Sequence, residues 1–544
     1  MNAFVQLCEA IAASSKKSEK VRLAADFLRA VSSEEASVAA LFLTGRVFPR
    51  REERVLGIAG SLLVRALLKI SGWNKVQFAE VYRRHGDLGS AAEDILQAHT
   101  RPSPLKLTEI EDWFLALSKE RPRDSKLRKL EQMLRQLSAI ETKYVLKLAT
   151  RELRIGMKES LVEEAIAQAY QQPLPLIERA NMLSGDIGEI VQWAVTGKLQ
   201  TVELQLFRPI SVMLANPADD SGELIASFPN GAIAEDKYDG IRAQVHKQGE
   251  RVEFYSRTLD RITEFPELAE PLRKIPGDFI LDGEILAWRD NRALPFRLLQ
   301  PRLGRHQFDL FVTAEAPIIF MAFDILHRDG VNLLDTPLSE RRKQLEALQS
   351  QSDGPAVHLA QSILCETAEQ YDQAFQEAVQ RGNEGLIVKA ADSLYLPGRR
   401  GRFWLKWKKP LARLDVVVTA VEYGHGKRHG VLSDYTFAIR DGERLLDIGK
   451  AYSGLTDAEI RELTTFFLQK ITGREGGRLQ VQAIVVLEVA FNNLQKSRRY
   501  ESGFALRFPR IVRLRPDKTP AEIDTLETVK IIFERQNQLA AGAA

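Results

Sequence analysis

Three successive residue patterns predict a multidomain protein, with an all-α segment, an α+β segment and a small β-barrel following one another along 544 residues. The length suits about three domains of ordinary size. From Met1 to about Leu204 apolar residues recur at three- and four-residue spacing, as in Val21–Val31, Val55–Ile70 and Leu127–Leu137, which predicts short helices. Turn-rich gaps such as Arg101-Pro102-Ser103-Pro104 separate them. After Phe207-Arg208-Pro209-Ile210 the chain turns to short apolar runs broken by Gly, Pro and Asp. Phe279–Trp288 and Gly385–Lys389 read as strands, and Ser339–Leu348 and Thr367–Gln380 as helices, so residues 205–409 form the α+β segment. Strand patterns dominate 410–544, at Leu414–Val421, Tyr435–Ile439 and Val481–Phe491, with one helix at Asp457–Lys470. That order suits a barrel of the OB type, and Leu539–Ala544 is expected to fray.

The residue balance is that of a globular chain: 44% hydrophobic and 27% charged. Lysine and arginine number 76 against 73 acidic residues, a net charge of +3, which permits a nucleic-acid partner without demanding one. Two cysteines, Cys8 and Cys365, exclude a disulfide framework and a four-cysteine zinc site within one chain. No apolar run reaches 18 residues and Met1–Lys17 carries no basic leader, so a cytoplasmic protein with no membrane partner is expected.

One stretch organises the rest, Glu235-Asp236-Lys237-Tyr238-Asp239-Gly240-Ile241-Arg242. Between Ala232 and Lys247 apolar and charged residues surround an Asp-Gly, as in two strands joined by a tight loop. This sets Lys237 at a strand end, facing a cleft. A lysine there is a surface cation or a nucleophile. As a nucleophile it must shed a proton held with a pKa of about 10.4, roughly 4 kcal/mol from neutrality near pH 7.5. Desolvation or neighbouring cations have to supply that.

The middle segment repeatedly sets a charge at or beside a strand end. Ser256-Arg257 follows the strand Val252–Tyr255, Asp282 and Glu284 interrupt an apolar strand, Phe323-Asp324 ends another, and Glu384 opens the one finishing at Lys389. In Arg402-Phe403-Trp404-Leu405-Lys406-Trp407-Lys408 the alternation puts Lys406 and Lys408 on one face. Singly these are solvated charges; together they suit a nucleotide with its metal. In the helical segment, Arg154, Gly156 and Lys158 precede a helix for which Ser160 and Glu163 predict a capping box. Free N–H groups, a glycine and two cations make a phosphate seat, the alternative being a capped surface helix.

In this order the motifs resemble those of the covalent nucleotidyltransferases, and within them the ATP-dependent DNA ligases. Lys237–Arg242 (KYDGIR), Ser256-Arg257, Leu281–Ile285 (LDGEI), Phe323–Leu326 (FDIL), Glu384–Lys389 (EGLIVK), Trp404–Lys408 (WLKWK) and Arg515-Pro516-Asp517-Lys518 are similar to their motifs I to VI. Thr142–Ala167 resembles the DNA-binding domain of eukaryotic replicative and archaeal ligases, and Val486–Lys518 their barrel end. The resemblance covers the whole chain and implies a three-domain, bacterial member: helical DNA-binding domain 1–204, adenylation domain 205–409 and OB-fold domain 410–544.

It also implies roles. Lys237 becomes linked to AMP; Glu235 reads the adenine amino group and Phe323 stacks on the base. Glu284 holds the ribose or assists the metal, and Glu384 binds the divalent ion, Mg²⁺ or Mn²⁺. Arg242, Arg257, Arg402, Lys406 and Lys408 surround the phosphates of ATP and depress the pKa of Lys237. Asp239, Arg515, Asp517 and Lys518 form a second tier, the last two orienting pyrophosphate. Arg154, Gly156 and Lys158 hold DNA phosphate. The partner implied is nicked double-stranded DNA, gripped by a monomer that hinges near Leu204 and Lys409, in repair, recombination or replication, with an accessory repair role expected. Three departures stand out: Thr258 follows the arginine where Asn is frequent, Gly283 occupies a variable position, and Phe491-Asn492-Asn493 lacks a frequent acidic residue. An RNA ligase or capping guanylyltransferase is the alternative enzyme, disfavoured by the helical segment, and a non-catalytic nick-binding scaffold is the alternative of another class.

Overall fold

A computed structural model describes the chain except for residues 53, 100, 304–316, 350–356, 410–411, 425–427, 429 and 542–544. Twelve α-helices, from Asn2–Ala13 to Ile187–Thr196, fill the first segment among the described residues. Polar side chains start several of them: Ser32 accepts from the N–H of Glu35, and Asn74 with Gln77 and Ser138 with Glu141 form reciprocal caps. Their apolar faces meet in one core in which the rings of Phe4, Phe42 and Phe114 touch edge to face at 6.1 and 6.0 Å. The expected capping box at Ser160 and Glu163 is absent. The helix Glu159–Tyr170 starts one residue earlier, with Lys158 as a cap that makes no side-chain bond, so Ser160 already lies inside the first turn. Glu163 instead accepts from Asn181 Nδ2 at 2.7 Å, and burial pushes its carboxyl up to about 7.

The middle segment carries strands β1 (Leu214–Ala218), β2 (Ala232–Asp236), β3 (Ile241–Gln248), β4 (Arg251–Ser256), β5 (Arg261–Ile262), β6 (Phe279–Arg289), β7 (Arg292–Ala293), β8 (Ile318–Arg328), β9 (Val331–Asn332), β10 (Val357–Leu359), β11 (Ser362–Cys365), β12 (Gly385–Lys389) and β13 (Arg400–Lys408). They form two sheets. One runs β1-β13-β12-β2-β11; the other is built on β10-β8-β6-β3-β4-β5. This corrects the hairpin expected over Ala232–Lys247: both strands exist, but β2 pairs with β11 and β12 while β3 pairs with β4 and β6. Residues 237–240 therefore cross from one sheet to the other. Phe323-Asp324 is corrected too, since it lies in the middle of β8 and not at its end. Asp282 faces Asp324 and Gly283 faces Ala322, so Phe323 is the extra residue of a β-bulge, a device that re-aims a side chain.

The segment entering this domain is pinned to its sheet. The ring nitrogen Nδ1 of His246 accepts the N–H of Phe207 at 2.9 Å, Gln244 Oε1 accepts that of Ile210 at 3.0 Å, and the Arg251 guanidinium lies 3.6 Å from the Phe207 ring centre. The helix Leu174–Ser184 joins in, with Arg179 forming two bonds to Asp335, Arg399 pairing with Glu178, and Leu183 sharing a core with Ile210, Met213 and Trp404. Burial, with His327 nearby, lowers the pKa of His246 to about 3 from an ordinary 6.5. The unfolded chain thus binds this proton first, and stability is lost as pH falls from 6.5 towards 3. At pH 5 the loss amounts to about 2 kcal/mol. Urea unfolding at pH 7 and pH 5 checks it: His246→Gln is expected to lose about 2 kcal/mol less than the natural chain over that interval. An equal loss in both proteins assigns the proton elsewhere.

In the last segment a seven-stranded sheet closes around an apolar core holding Val416, Phe437, Leu487 and Phe491. The helix expected at Asp457–Lys470 spans Asp457–Leu468 and starts from a capping box of Thr456 and Glu459. The single strand expected at Val481–Phe491 is two, Arg478–Val481 and Val486–Phe491. A second helix, Leu526–Ala541, occupies the region expected to fray as far as Ala541; residues 542–544 lie outside those described. The sequence reading missed it although Leu526, Val529 and Phe533 recur at helical spacing; Val529 is buried in the barrel core, and Leu526, Ile532 and Phe533 pack against it. The chain divides into two compact units, Met1–Ala378 with Gly385–Trp407, and Val379–Glu384 with Lys408–Ala544.

Candidate active site

Lys237 stands on the crossing between the two sheets, half-buried, its backbone N–H bonded to Gly385 O at 2.8 Å. Glu284, on the middle strand β6, faces it. Burial pushes the Glu284 carboxyl up to about 7 against the opposing pull of Lys237, Arg242 and the Gly240 N–H, which Oε1 accepts at 3.2 Å. A carboxyl poised near neutrality beside a lysine is the kind of perturbation that marks a functional site.

Behind this pair lie two buried ion pairs on adjacent strands. Asp282, fully buried, takes two bonds from Arg242, at 3.1 Å from Nε and 2.7 Å from an Nη, and a third from the Tyr395 hydroxyl at 2.6 Å. Burial alone lowers the pKa of Arg242, but Asp282 outweighs it, so the guanidinium stays charged. Its third nitrogen donates to Met213 O at 2.8 Å. Arg242 is thus an anchored cation, tied to the strand floor. Asp324, directly opposite Asp282, is gripped by the fully buried Arg341 at 2.7 and 2.9 Å. Two like charges facing across strands repel. Here each has its own arginine.

Glu235 lies 3% exposed on β2, with Lys389 Nζ 2.6 Å from its Oε2 and Arg342 3.8 Å from its Oε1. Burial raises the pKa of its carboxyl although Lys389 pulls it down. The bulged Phe323 has the Arg242 guanidinium 5.3 Å and the Lys389 ammonium 4.7 Å from its ring centre. The structure therefore brings Lys237, Glu284, Arg242, Glu235 and Phe323 into one neighbourhood of the first unit. Asp239 and Arg257 are exposed beside it; the turn after β4 is locked by Ser256, Thr258 and Asp260, Thr258 Oγ1 donating to Asp260 at 2.6 Å. Gly283 is explained: a Cβ there lies 2.4 Å from the Phe320 ring and 2.5 Å from Met321 O.

On β13, Arg402 is exposed and Lys406 half-buried, with Trp404 of the same face in the core. In the second unit Lys408 Nζ pairs with Glu384 at 2.7 Å. In the barrel, Asp415 gathers Arg515 at 2.9 Å and Lys518 at 2.6 Å, and Arg515 also holds Asp517, whose carboxyl it keeps down at about 2. In the helical part, Arg154, Gly156 and Lys158 are exposed while Leu153, Ile155 and Met157 between them are buried, so the three predicted residues line one outward edge. Gly156 has φ +71°, a left-handed conformation that glycine adopts freely. Arg154 donates to Gly86 O at 3.1 Å and pairs with Glu152. The sequence reading missed Lys389, Arg341 and Tyr395. A cation closing an otherwise apolar strand that neighbours Glu235 was the one available sign.

Comparison with known proteins agrees along the whole length. Residues 1–167 match the family model for the DNA ligase N terminus, 212–408 that for the ATP-dependent DNA ligase domain and 428–518 that for the ATP-dependent DNA ligase C-terminal region. A probable DNA ligase of Koribacter versatilis is 46% identical over 98% of this chain and 97% of its own. A DNA ligase of Thermococcus fumicolans is 34% identical over 96% of both. The solved structure titled Pmar-Lig_Pre shares the fold, with a TM-score of 0.62 at 15% identity over 94% of this chain and 99% of that one. Domain by domain, and over nearly the full length of both of these relatives, the chain belongs to the ATP-dependent DNA ligases.

Proposed function

We propose that the chain, as a cytoplasmic monomer, seals 5′-phosphate/3′-hydroxyl nicks in duplex DNA through a lysyl-AMP intermediate and a DNA-adenylate. The observation that carries this reading is Lys237 on the inter-sheet crossing, facing Glu284 and backed by the anchored Arg242. The Lys237 amine attacks the α-phosphorus of ATP, and the bond to pyrophosphate breaks. A 5′-phosphate oxygen at the nick then takes the AMP and frees the lysine. Finally the 3′-hydroxyl attacks that activated phosphorus, closing the strand and expelling AMP.

Phosphoryl transfer of this kind is mostly positioning and charge stabilisation. Glu235 accepts from the adenine amino group and Phe323 supplies the flat apolar surface for the base. Arg257, Arg402, Lys406 and Lys408 meet the phosphates, with Arg242 fixing the floor beneath them. Asp517 and Lys518 orient the leaving pyrophosphate. Among the described residues no group of three or more His, Cys, Asp or Glu side chains forms a metal cage. Magnesium held chiefly by substrate phosphates needs only one or two protein carboxylates. Glu284 and Glu384 each fit that role, and the ion, Mg²⁺ or Mn²⁺, supplies neutralisation of phosphate charge. No described helix is long and apolar enough to cross a membrane. We place the domain boundaries near 204 and 409.

Incubation with α-labelled ATP and Mg²⁺, then denaturing electrophoresis, is expected to give a labelled protein band that nicked duplex chases into sealed product. A band that only RNA ends or GTP satisfy overturns the reading. For the helical segment, the double change Arg154→Ala and Lys158→Ala is expected to leave adenylation by free ATP intact while weakening nick binding about tenfold or more near physiological salt. It should also flatten the salt dependence by about two phosphate contacts. Equal loss of adenylation and sealing contradicts a separate phosphate seat.

A further inference from the structure

Lys389 is 1% exposed, yet it carries a full charge into the core between the two sheets. Its ammonium lies 2.6 Å from Glu235 Oε2, 3.4 Å from Phe323 O, 4.7 Å from the Phe323 ring centre and 4.5 Å from that of Trp404. Burying a cation so completely is costly unless its partners repay the lost hydration. A core position that served packing alone is filled by an apolar residue, as Leu386 and Val388 fill the opposite face of β12. The partners of Lys389 are the two groups assigned above to the adenine base.

We propose that Lys389 is a positioning residue of the adenine pocket, which fixes the Glu235 carboxylate and the Phe323 platform together and so sets the preference for adenine over guanine. The proposal rests on the reading that Glu235 accepts from the base. Adenine presents an amino donor at the edge where guanine presents a carbonyl acceptor. An ionised carboxylate only accepts, so it matches the first and repels the second. Lys389 holds Oε2 at 2.6 Å and leaves Oε1 as the reading atom, 3.8 Å from Arg342 and beyond hydrogen-bond reach of it. Removing the ammonium leaves a buried carboxyl beside Asp324 with Arg342 as its remaining cation, conditions in which a carboxyl takes up a proton. A protonated carboxyl donates as well as accepts, and guanine is then tolerated.

The test compares single-turnover adenylation by ATP and by GTP in the full chain, taking the ratio of kcat/KM values, which does not depend on the fraction of folded protein. Lys389→Met is expected to raise KM for ATP about tenfold or more, to change kcat little, and to shrink the ATP:GTP ratio about tenfold or more. Lys389→Arg is expected to restore most of the ratio. Lys389→Gln, neutral but still a donor, takes the place of the methionine variant if that fails to fold. Glu235→Gln is measured alongside. If Glu235→Gln leaves the ratio unchanged, Glu235 does not read the base and the underlying reading fails. If Glu235→Gln shifts the ratio but neither neutral change at Lys389 does, Lys389 is structural and this inference alone fails.

Discussion

Lys237→Ala is expected to abolish both formation of the protein-AMP adduct and sealing of nicked DNA, by at least about 10⁴-fold. The size of the effect follows from the chemistry: without the amine the α-phosphorus of ATP has no nucleophile placed in line with the leaving pyrophosphate. Loss of activity alone does not separate chemistry from misfolding. A nick already carrying AMP on its 5′-phosphate does so, because that substrate bypasses the lysine. The variant is expected to seal it, the remaining 3′-hydroxyl attack depending on positioned charge and not on an amine. Residual labelled adduct in the variant removes Lys237 from its assigned role.

The second large effect is on stability. Arg341→Leu is expected to destabilise the protein by about 3–5 kcal/mol, lowering the melting temperature by about 10 °C. Arg341 is fully buried, takes both oxygens of Asp324, and donates besides to Thr336 O and Ser393 O at 2.5 and 3.0 Å. Cutting it away leaves Asp324 charged in the core and opposite Asp282 on the next strand. Replacing Asp324 as well, in Asp324→Leu with Arg341→Leu, is expected to recover much of the loss, because a missing pair costs less than a broken one. Thermal unfolding of both variants reads this. A single variant within 1 kcal/mol of the natural chain shows that Asp324 is neutral in the fold, and the paired-charge account then fails.

The sequence by itself determined the succession of helical, mixed and strand-rich segments, most element types and the choice of Lys237, Glu235, Glu284 and Phe323 as candidates, because these depend on local periodicity and on short motifs. Periodicity of two and of 3.6 reports which face of an element is apolar, and that is a local property. What the element packs against is not. Only the tertiary structure decided that the strands on either side of Lys237 belong to different sheets, since an Asp-Gly turn suits a hairpin and a crossing equally. It likewise decided that Phe323 is bulged, that Ser160 lies inside its helix, and that Leu526–Ala541 is a helix that sets Leu526, Val529, Ile532 and Phe533 on the barrel. The same holds for the cations. Arg242 and Lys389 look alike in sequence to any solvated charge; Asp282, 40 positions from Arg242, and Phe323 and Glu235, 66 and 154 positions from Lys389, gave them buried partners. Charge pairs of that separation are fixed by strand order and register, which follow from how whole sheets bury their faces and leave no mark on the residues themselves.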